Sequence, residues 1–559
     1  MKIKNILWAM LICLSNVVIA QTISVQPSQI NFGTVTELQA DSVQVVLSNN
    51  NNYDVHVNGT HFYTTYGEPA FSTAISVFTV PAGGFYSIWV KFLPRHNILH
   101  NSELVIECDG AKGFARVDLI GQGHYSNSYY LTSENLSEEA LKNELKTITG
   151  QGYRSLGYSP PPFGSQPCAR DTMFMLIDNK LVNGFGATQN TIECVYTGRE
   201  AVGYIDRTQC QDLTDPNMSF NTEHTWPQSL FSQLEPMRSD LFHLFPTDEA
   251  ANGKRSNYPF GIVTNPTWSN GGSKFDQNSG IFEPRDAHKG ETARAMFYFV
   301  MRYQNYNSFL NSQESILRLW NNQYAPTPVE QKRCDDIQFY QKNRNPFIDY
   351  PQFVDRINSF STTSIAPVIN TFDLPTDSIQ YGLIDASSNN VYKFWIVNNG
   401  NELVNIGNLY LNPSSILSFL NGTGSNAIIQ PGEALGIDVN IANAPLGNFD
   451  GTLNFTADGT SLNVNQTIPI NAYLSVTGLN DISSSQLLKV FPNPTKGQIN
   501  WNELFTGNIS LTDIEGRAVY SSTLSFSNHF EFPQSLKNGF YTLQLSNNFK
   551  VSRAIVVKQ

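Results

Sequence analysis

The spacing of apolar residues changes along this chain, and that change limits its fold more than any other feature. Apolar and polar residues alternate in 43–48, 86–92 and 115–120, which is typical of strands with one buried face. In 133–148 and 289–303 the apolar residues recur at helical spacing instead. Because a chain of 559 residues exceeds what one core can serve, the pattern predicts a multidomain protein whose β-modules flank an α+β domain.

The central α+β domain is predicted to span 129–361. Two more helices are expected there, at 313–322 and 328–343. In the helix at 289–303, one apolar face is predicted, made of Ala293, Met296, Phe297 and Val300.

The charge balance limits what the protein can bind through long-range electrostatics. The formal net charge is −12, which argues against a basic nucleic-acid scaffold. A local cationic patch can still hold phosphates on an acidic chain. The cations that can form such a patch are Lys254, Arg255, Arg285, Lys289 and Arg294.

The first residues are typical of a secretory signal. Lys2 and Lys4 precede the apolar stretch 6–14, and Ala20 ends it with a small residue. We expect residues 1–20 to be a signal peptide and the protein to be exported. No later segment is apolar for long enough to be expected to span a bilayer.

The cysteines fit an oxidising compartment. Cys168, Cys194, Cys210 and Cys334 fall in the α+β domain, so one or two disulfide bonds are predicted among them. The spacing contains no paired CxxC, which argues against zinc binding. Cys108 alternates with Leu104 and is predicted to be a buried strand thiol.

Polar residues suited to phosphodiester hydrolysis follow one another in the middle of the chain. Glu223 and His224 stand side by side, and Asp240 and His243 follow. A short helix capped by Thr247 is then predicted to carry Asn252-Gly253 near its end, ahead of Arg255. Hydrolysis of a phosphodiester needs a base, oxygen ligands for a hard metal ion and positive charge near the phosphate.

Considered one at a time, each of these residues could have an ordinary structural role. A lone histidine is more often structural, a strand glutamate is often solvated, and Asn-Gly is often a turn or a helix end. Adjacent strand residues also point to opposite faces, so Glu223 and His224 can share a site only where the strand ends or twists. His243 and His288 are predicted to be structural, and Asp240 to orient its neighbours.

Together, the motifs resemble the bacterial secreted endonuclease I family, whose site is a ββα-metal motif. A further match lies at 282–294. The resemblance implies that His224 is the general base and that Glu223 and Asn252 bind Mg²⁺, or another divalent cation such as Mn²⁺ or Ca²⁺. Phosphate contact is assigned to Arg285, with Arg238 as the alternative.

The flanking regions resemble other known modules. The stretch 30–35 is similar to the start of ASH-type immunoglobulin-like domains, and a second such module is expected at 367–476. Pro492-Asn493-Pro494, Asp513 with Glu515-Gly516, and Gly539-Phe540-Tyr541 resemble the type A sorting domain of type IX secretion substrates. That tail is expected to be a small β-sandwich that directs passage across the outer membrane.

The predicted organisation is a signal peptide, an immunoglobulin-like β-sandwich, an endonuclease I-like domain, a second β-sandwich and a sorting domain. Their ranges are 1–20, 21–125, 129–361, 367–476 and 486–559. The expected function is a secreted or cell-surface, sequence-nonspecific endonuclease that acts on DNA, with RNA as a second candidate. The alternative is an inactive adhesin or binding protein, whose β-modules serve as spacers or bind carbohydrate or DNA.

Overall fold

The computed structural model describes residues 23–51, 53–62, 66, 69–108, 114–159, 167–304, 307–386, 390–459, 462–475, 488–514, 517–547 and 551–559. The predicted signal peptide and Glu515-Gly516 of the tail lie outside the described residues. The chain divides into two compact units. One comprises 1–382, 390–441 and 450–472, and the other comprises 383–389, 442–449 and 473–559.

The first domain is built from two sheets, with strand orders β1-β3-β7-β5 and β2-β9-β8-β4-β6. The strands are β1 (Ile23–Gln26), β2 (Gln29–Thr36), β3 (Asp41–Asn49), β4 (Val55–His61), β5 (Phe71–Thr73), β6 (Phe78–Val80), β7 (Phe85–Phe92), β8 (Leu99–Cys108) and β9 (Phe114–His124). The strands predicted at 43–48, 86–92 and 115–120 are confirmed as β3, β7 and β9. Their alternation places Ile88, Val90 and Phe92 in one buried core.

The α+β domain contains eight α-helices among the described residues. They are α1 (Glu138–Gly150), α2 (Ala169–Thr172), α3 (Arg207–Cys210), α4 (Glu249–Arg255), α5 (Asp286–Tyr303), α6 (Glu314–Gln323), α7 (Pro328–Gln341) and α8 (Pro346–Asp349). Short strands lie between them: β10 (Thr191–Glu193), β11 (Glu200–Val202), β12 (Phe220–His224), β13 (Leu244–Asp248), β14 (Trp268–Asn270), β15 (Ser273–Asp276) and β16 (Ile281–Glu283).

The long helices follow the sequence prediction closely. The helices expected at 313–322 and 328–343 are confirmed as α6 and α7. Helix α7 begins at Pro328, and the Thr327 side chain accepts a hydrogen bond from the Glu330 amide at 3.1 Å. Helix α1 begins at Glu138, after the extended backbone of Ser137, and not at residue 133, which ends the separate 3₁₀ helix Ser128–Ser133.

Helix α5 is the centre of the α+β core. The expected apolar residues on it are buried, but so are Ala295, Tyr298, Phe299 and Met301 on its other sides. The prediction of a single apolar face was therefore too narrow. A helix buried on all sides is surrounded by other elements, and α1, α6 and α8 contact this one.

Aromatic and polar contacts join the first domain to the α+β domain. The rings of Tyr125 and Tyr350 stack with centroids 3.7 Å apart. The Glu37 carboxylate accepts hydrogen bonds from the Ser126 amide at 2.7 Å and from the Tyr350 hydroxyl at 3.1 Å. Buried Arg356 donates to Asn97 at 2.7 Å. The segment that links the two domains is thus held within their packing.

Two further sheets follow, with strand orders β17-β24-β23-β19-β21 and β18-β22-β20. Their strands are β17 (Ile379–Asp385), β18 (Asn390–Val397), β19 (Val404–Asn412), β20 (Leu417–Phe419), β21 (Ala427–Ile429), β22 (Ala434–Ile441), β23 (Gly447–Asp458) and β24 (Asn463–Ser475). Trp395 of β18 and Val105 of β8 belong to one small buried cluster. Arg116 of β9 donates to the Ala434 carbonyl at 3.3 Å.

The tail forms one hydrogen-bonded sheet around its own core. Its strands are β25 (Val490–Phe491), β26 (Gln498–Thr512), β27 (Ala518–Glu531), β28 (Gly539–Ser546) and β29 (Val551–Lys558). Ile509, Leu543 and Val556 are fully buried. Among the described residues of the whole chain, no helix is both long and apolar enough to cross a membrane.

The disulfide prediction is wrong. Cys168, Cys194, Cys210 and Cys334 are free thiols, and so is Cys108. All five are buried; Cys168 lies 3.2 Å from Asp171, and Cys194 accepts a hydrogen bond from the Asp248 amide at 3.1 Å. Burial raises the pKa of the Cys210 thiol to about 12. The buried-thiol prediction for Cys108 is confirmed.

Candidate active site

The candidate site is carried by two antiparallel strands and the helix that follows them. Strands β12 and β13 pair with Glu223 opposite Phe245 and His224 opposite Leu244. Helix α4 begins directly after β13 and contacts both strands. Asp248 rather than Thr247 precedes the helix, and its carboxylate is held by Thr197 and Arg199 instead of capping the helix.

Glu223 is buried, and only one of its two carboxylate oxygens has polar contacts. Oε1 accepts a hydrogen bond from the Tyr196 hydroxyl at 2.8 Å and lies 3.0 Å from Nε of fully buried Arg255. The Arg255 Nε–H is not aimed at that oxygen, so their contact is an ion pair rather than a hydrogen bond. Burial raises the pKa of Glu223, and the Arg255 charge and the Tyr196 hydrogen bond oppose that shift. Oε2 has no partner among the described residues.

His224 is held in one tautomer by the backbone. Its Nε2 lies 3.2 Å from the Arg238 carbonyl oxygen, which can only accept, so Nε2 carries the proton and Nδ1 is the basic nitrogen. The ring lies 5.2 Å from Tyr158 and 5.5 Å from His243, centroid to centroid. Burial, followed by the neighbouring His243, lowers the pKa of His224 well below its ordinary value. The imidazole is therefore neutral near pH 7.

Asn252 lies in the middle of α4 and is half-buried. Its backbone carbonyl accepts from the Ser256 amide at 2.8 Å. Its side-chain amide has no hydrogen-bond partner in the described part of the chain. The structure thus leaves two oxygens of the predicted metal ligands unpartnered, those of Glu223 Oε2 and the Asn252 amide.

These two ligands fit a hard divalent ion by their chemistry, since carboxylate and carboxamide oxygens are the donors such ions prefer. They form a small set. Within the described residues, no group of three or more His, Cys, Asp and Glu side chains is placed to hold a metal ion.

Glu223 and His224 share none of the polar and aromatic contacts described above. Glu223 contacts Tyr196 and Arg255, while His224 contacts the Arg238 carbonyl, Tyr158 and His243. This division follows from the alternation of side chains along β12. His224 is the last residue of that strand, so the two faces are adjacent only at its end.

Arg285 occupies a different neighbourhood. Its Nε donates to the Val195 carbonyl at 2.8 Å, and its Nη2 pairs with Glu193. It lines a cavity of about 330 Å³ together with His288 and Glu291. The His288 ring is buried and bonds Glu291 at 2.6 Å.

Most of the cations suggested for a phosphate patch are engaged with carboxylates. Lys289 lies 2.7 Å from both Glu283 and Asp286. Arg294 makes a bidentate salt bridge with Glu330, with N–O distances of 2.7 and 2.6 Å. With Arg255 paired to Glu223 and Arg285 to Glu193, only Lys254 of the five lacks an ion pair in the described residues.

Two other arginines surround the His224 side of the site. The guanidinium groups of Arg170 and Arg238 lie 4.5 and 4.2 Å from the centroid of the Tyr158 ring. Arg170 Nε donates to the Tyr158 carbonyl and Arg238 Nε to Gln228 Oε1, both at 3.2 Å. Neither arginine has a carboxylate partner among the described residues. Arg170 was missed by sequence reasoning, since no motif in the sequence connects it to His224.

The fold and the site therefore define a strand-strand-helix centre that places a buried carboxylate, a neutral imidazole and a free carboxamide on neighbouring elements. An Endonuclease I family model matches residues 137–352. A model of the HYDIN/CFA65/VesB-like Ig-like domain matches 21–121, and one of a secretion system C-terminal sorting domain matches 489–558.

Several characterised proteins are similar to this chain. The extracellular ribonuclease of Bacillus amyloliquefaciens is 34% identical over 257 residues, which are 42% of this chain and 78% of the relative. That of Bacillus subtilis (strain 168) is 31% identical over 179 residues, 28% of this chain and 59% of the relative. Endonuclease-1 of Buchnera aphidicola subsp. Baizongia pistaciae is 28% identical over 118 residues, 20% of this chain and 47% of the relative. The match thus spans less than two thirds of two of these three relatives. The chain belongs to the endonuclease I family.

Proposed function

We propose that this protein is a secreted or cell-surface endonuclease that hydrolyses phosphodiester bonds of DNA and RNA without sequence specificity. The observation that carries the proposal is the state of His224. A backbone carbonyl fixes its tautomer, and burial keeps it neutral. A neutral imidazole with an acceptor nitrogen can take a proton from water at neutral pH. The ribonuclease names of two relatives support RNA as a substrate, and the name Endonuclease-1 of another supports cleavage within a strand.

In the proposed reaction, Nδ1 of His224 accepts a proton from water as the water oxygen attacks phosphorus. The bond between phosphorus and the 3′ oxygen then breaks, the 3′ oxygen takes a proton from solvent to become a hydroxyl group, and the other product keeps a 5′-phosphate end. Glu223 Oε2 and the Asn252 amide oxygen would hold the divalent ion, Mg²⁺, Mn²⁺ or Ca²⁺, whose charge stabilises the developing negative charge. The substrate approaches at the end of β12, where the Glu223 and His224 faces meet.

Arg170 and Arg238 are proposed to bind the phosphate oxygens. Both lie beside the base, and neither is neutralised by a carboxylate in the described residues, which distinguishes them from Arg285. The predicted role of Arg285 in phosphate contact remains a proposal, and its salt bridge to Glu193 would have to open for that contact.

Cleavage of plasmid DNA and of a structured RNA, with and without EDTA, tests the activity. His224→Ala is expected to lower turnover by about a hundredfold or more while metal binding persists. His124→Ala, a half-buried histidine paired with Glu134 at 3.0 Å, is the matched control and should cleave normally. A wild-type rate in His224→Ala would show that another group is the base.

The alternative of an inactive adhesin makes the opposite prediction for the same assay, since no metal-dependent cleavage would then occur.

The tail is proposed to direct export by the type IX secretion machinery, supported by the sorting-domain match at 489–558. Deleting residues 488–559 should leave the protein in the periplasm with its nuclease activity intact. Undiminished appearance in the medium would refute this role.

A further inference from the structure

The outer face of the four-stranded sheet in the first domain carries two exposed aromatic rings. Along β7 the side chains alternate strictly: Ile88 and Val90 are buried in the core, whereas Phe85 is 70% exposed and Trp89 is 57% exposed. Both rings point to the same face, because they lie four residues apart on one strand. Their Cα atoms are about 13 Å apart at the usual rise per residue.

Most of the side chains around these rings are polar and uncharged, and the exception on β3 is half-buried Val46, which lies opposite Ser87. Trp89 lies directly opposite Gln44 on β3, and Phe85 lies opposite Ser48. The same face is completed by Ser24 opposite Ser48, and by Ser72 and Ser42 on either side of Lys91. These neighbours are exposed or half-exposed, so they leave the ring faces uncovered. Neither ring contacts another ring or a cation among the described residues.

We propose that this face, which we call the aromatic platform, binds an uncharged polysaccharide. Sugar rings have apolar faces that pack on aromatic rings, and their hydroxyl groups can exchange hydrogen bonds with Ser and Gln side chains. A single exposed large apolar residue would need no explanation, but two uncovered rings aligned on one flat face mark an interaction surface.

The low charge of the platform favours an uncharged polymer over nucleic acid. Lys91 is the one charged side chain on this face among the described residues, and the chain as a whole carries a formal charge of −12. Binding of single-stranded nucleic acid combines stacking with several cations that neutralise phosphates, and the platform lacks those cations. A protein partner is disfavoured as well, because the hot spots of protein interfaces lie in well-packed apolar pockets, whereas these two rings lie on an open sheet face among mostly polar side chains.

The test uses the full-length mature protein in affinity gels and pull-downs. The probes are neutral polysaccharides, namely cellulose, chitin, dextran and a soluble β-glucan, together with anionic alginate and a single-stranded oligonucleotide. We expect retention by at least one neutral polysaccharide that persists at high salt. Trp89→Ala and Phe85→Ala should each weaken that binding by about fivefold to tenfold, the scale of one aromatic contact.

Tyr410→Ala is the matched control, because Tyr410 is 58% exposed on β19 of the other β-module. It should bind as the wild type does, and all three variants should keep their circular dichroism spectrum and their rate of plasmid cleavage. Absence of retention by every neutral polysaccharide would overturn the proposal, as would retention that the Phe85→Ala/Trp89→Ala double variant leaves unchanged. Salt-sensitive binding of the oligonucleotide that Trp89→Ala abolishes would overturn it in favour of nucleic acid.

Discussion

Replacing Arg255 by methionine is expected to destabilise the α+β domain by about 3–5 kcal/mol, the usual cost of removing one partner of a buried ion pair. Arg255 is fully buried, and its Nε lies 3.0 Å from Glu223, whose side chain is 2% exposed. At an effective dielectric constant of about 20, that distance corresponds to an attraction of about 5 kcal/mol. The variant also leaves the buried Thr225 carbonyl without its donor, which lies at 2.6 Å.

Native-state hydrogen exchange of the amides in α5 is the suitable assay, because a multidomain chain has no single free energy of unfolding. Lys332→Met is the control, since its ion pair with Asp336 is partly exposed and should contribute less than about 1 kcal/mol. Glu223→Gln in the Arg255→Met background removes the stranded charge, so the double variant should be more stable than the sum of the single effects predicts. Strictly additive effects, or an Arg255→Met protein as stable as the control, would refute the view that the two residues stabilise each other.

Three further outcomes can be checked. Asn252→Ala should raise the Mg²⁺ concentration needed for plasmid cleavage, with partial recovery at high Mg²⁺, whereas Asn257→Ala, at an exposed residue just beyond the end of α4, should not. Burial raises the pKa of Glu103 from 4.5 to about 7, so the folded state binds more protons than the unfolded state between those values. The stability of the first domain should therefore fall by up to about 3 kcal/mol as pH rises from 4.5 to 7; exchange of β8 amides should show that fall in the wild type and not in Glu103→Gln. The thiols of Cys168, Cys194, Cys210 and Cys334 should all react with a thiol reagent in denaturant without prior reduction, and unreactive thiols there would restore the disulfide prediction.

Local patterns in the sequence predicted the local structure well. A helix was predicted at 328–343 and α7 spans Pro328–Gln341, and the alternation in 86–92 predicted the buried and exposed sides of β7. Both features depend on neighbours within a few residues of one another. The strand pair and short helix around Glu223, His224 and Asn252 were instead expected from the resemblance of these motifs to the endonuclease I family.

Features that depend on distant parts of the chain were not predictable in the same way. Periodicity alone assumes one solvent-facing side, so it could not show that α5 is enclosed on all sides. The disulfide prediction used compartment and composition, which do not report whether two thiols meet. The Arg170 and Arg238 pair around Tyr158 forms only when helix α2, the short 3₁₀ helix Met237–Ser239 and the loop that contains Tyr158 come together.

The hydrogen bonds that Glu37 makes with Ser126 and Tyr350 have a consequence for how these domains are inherited. The Tyr125 ring lies in the core of the α+β domain although it directly follows the last strand of the first domain. A gene shortened to begin at the α+β domain would encode a protein in which Tyr350 loses Glu37 and Arg356 loses Asn97. The first domain therefore cannot be exchanged independently of the α+β domain. In this lineage it should be gained, lost and diversified together with the domain that follows it.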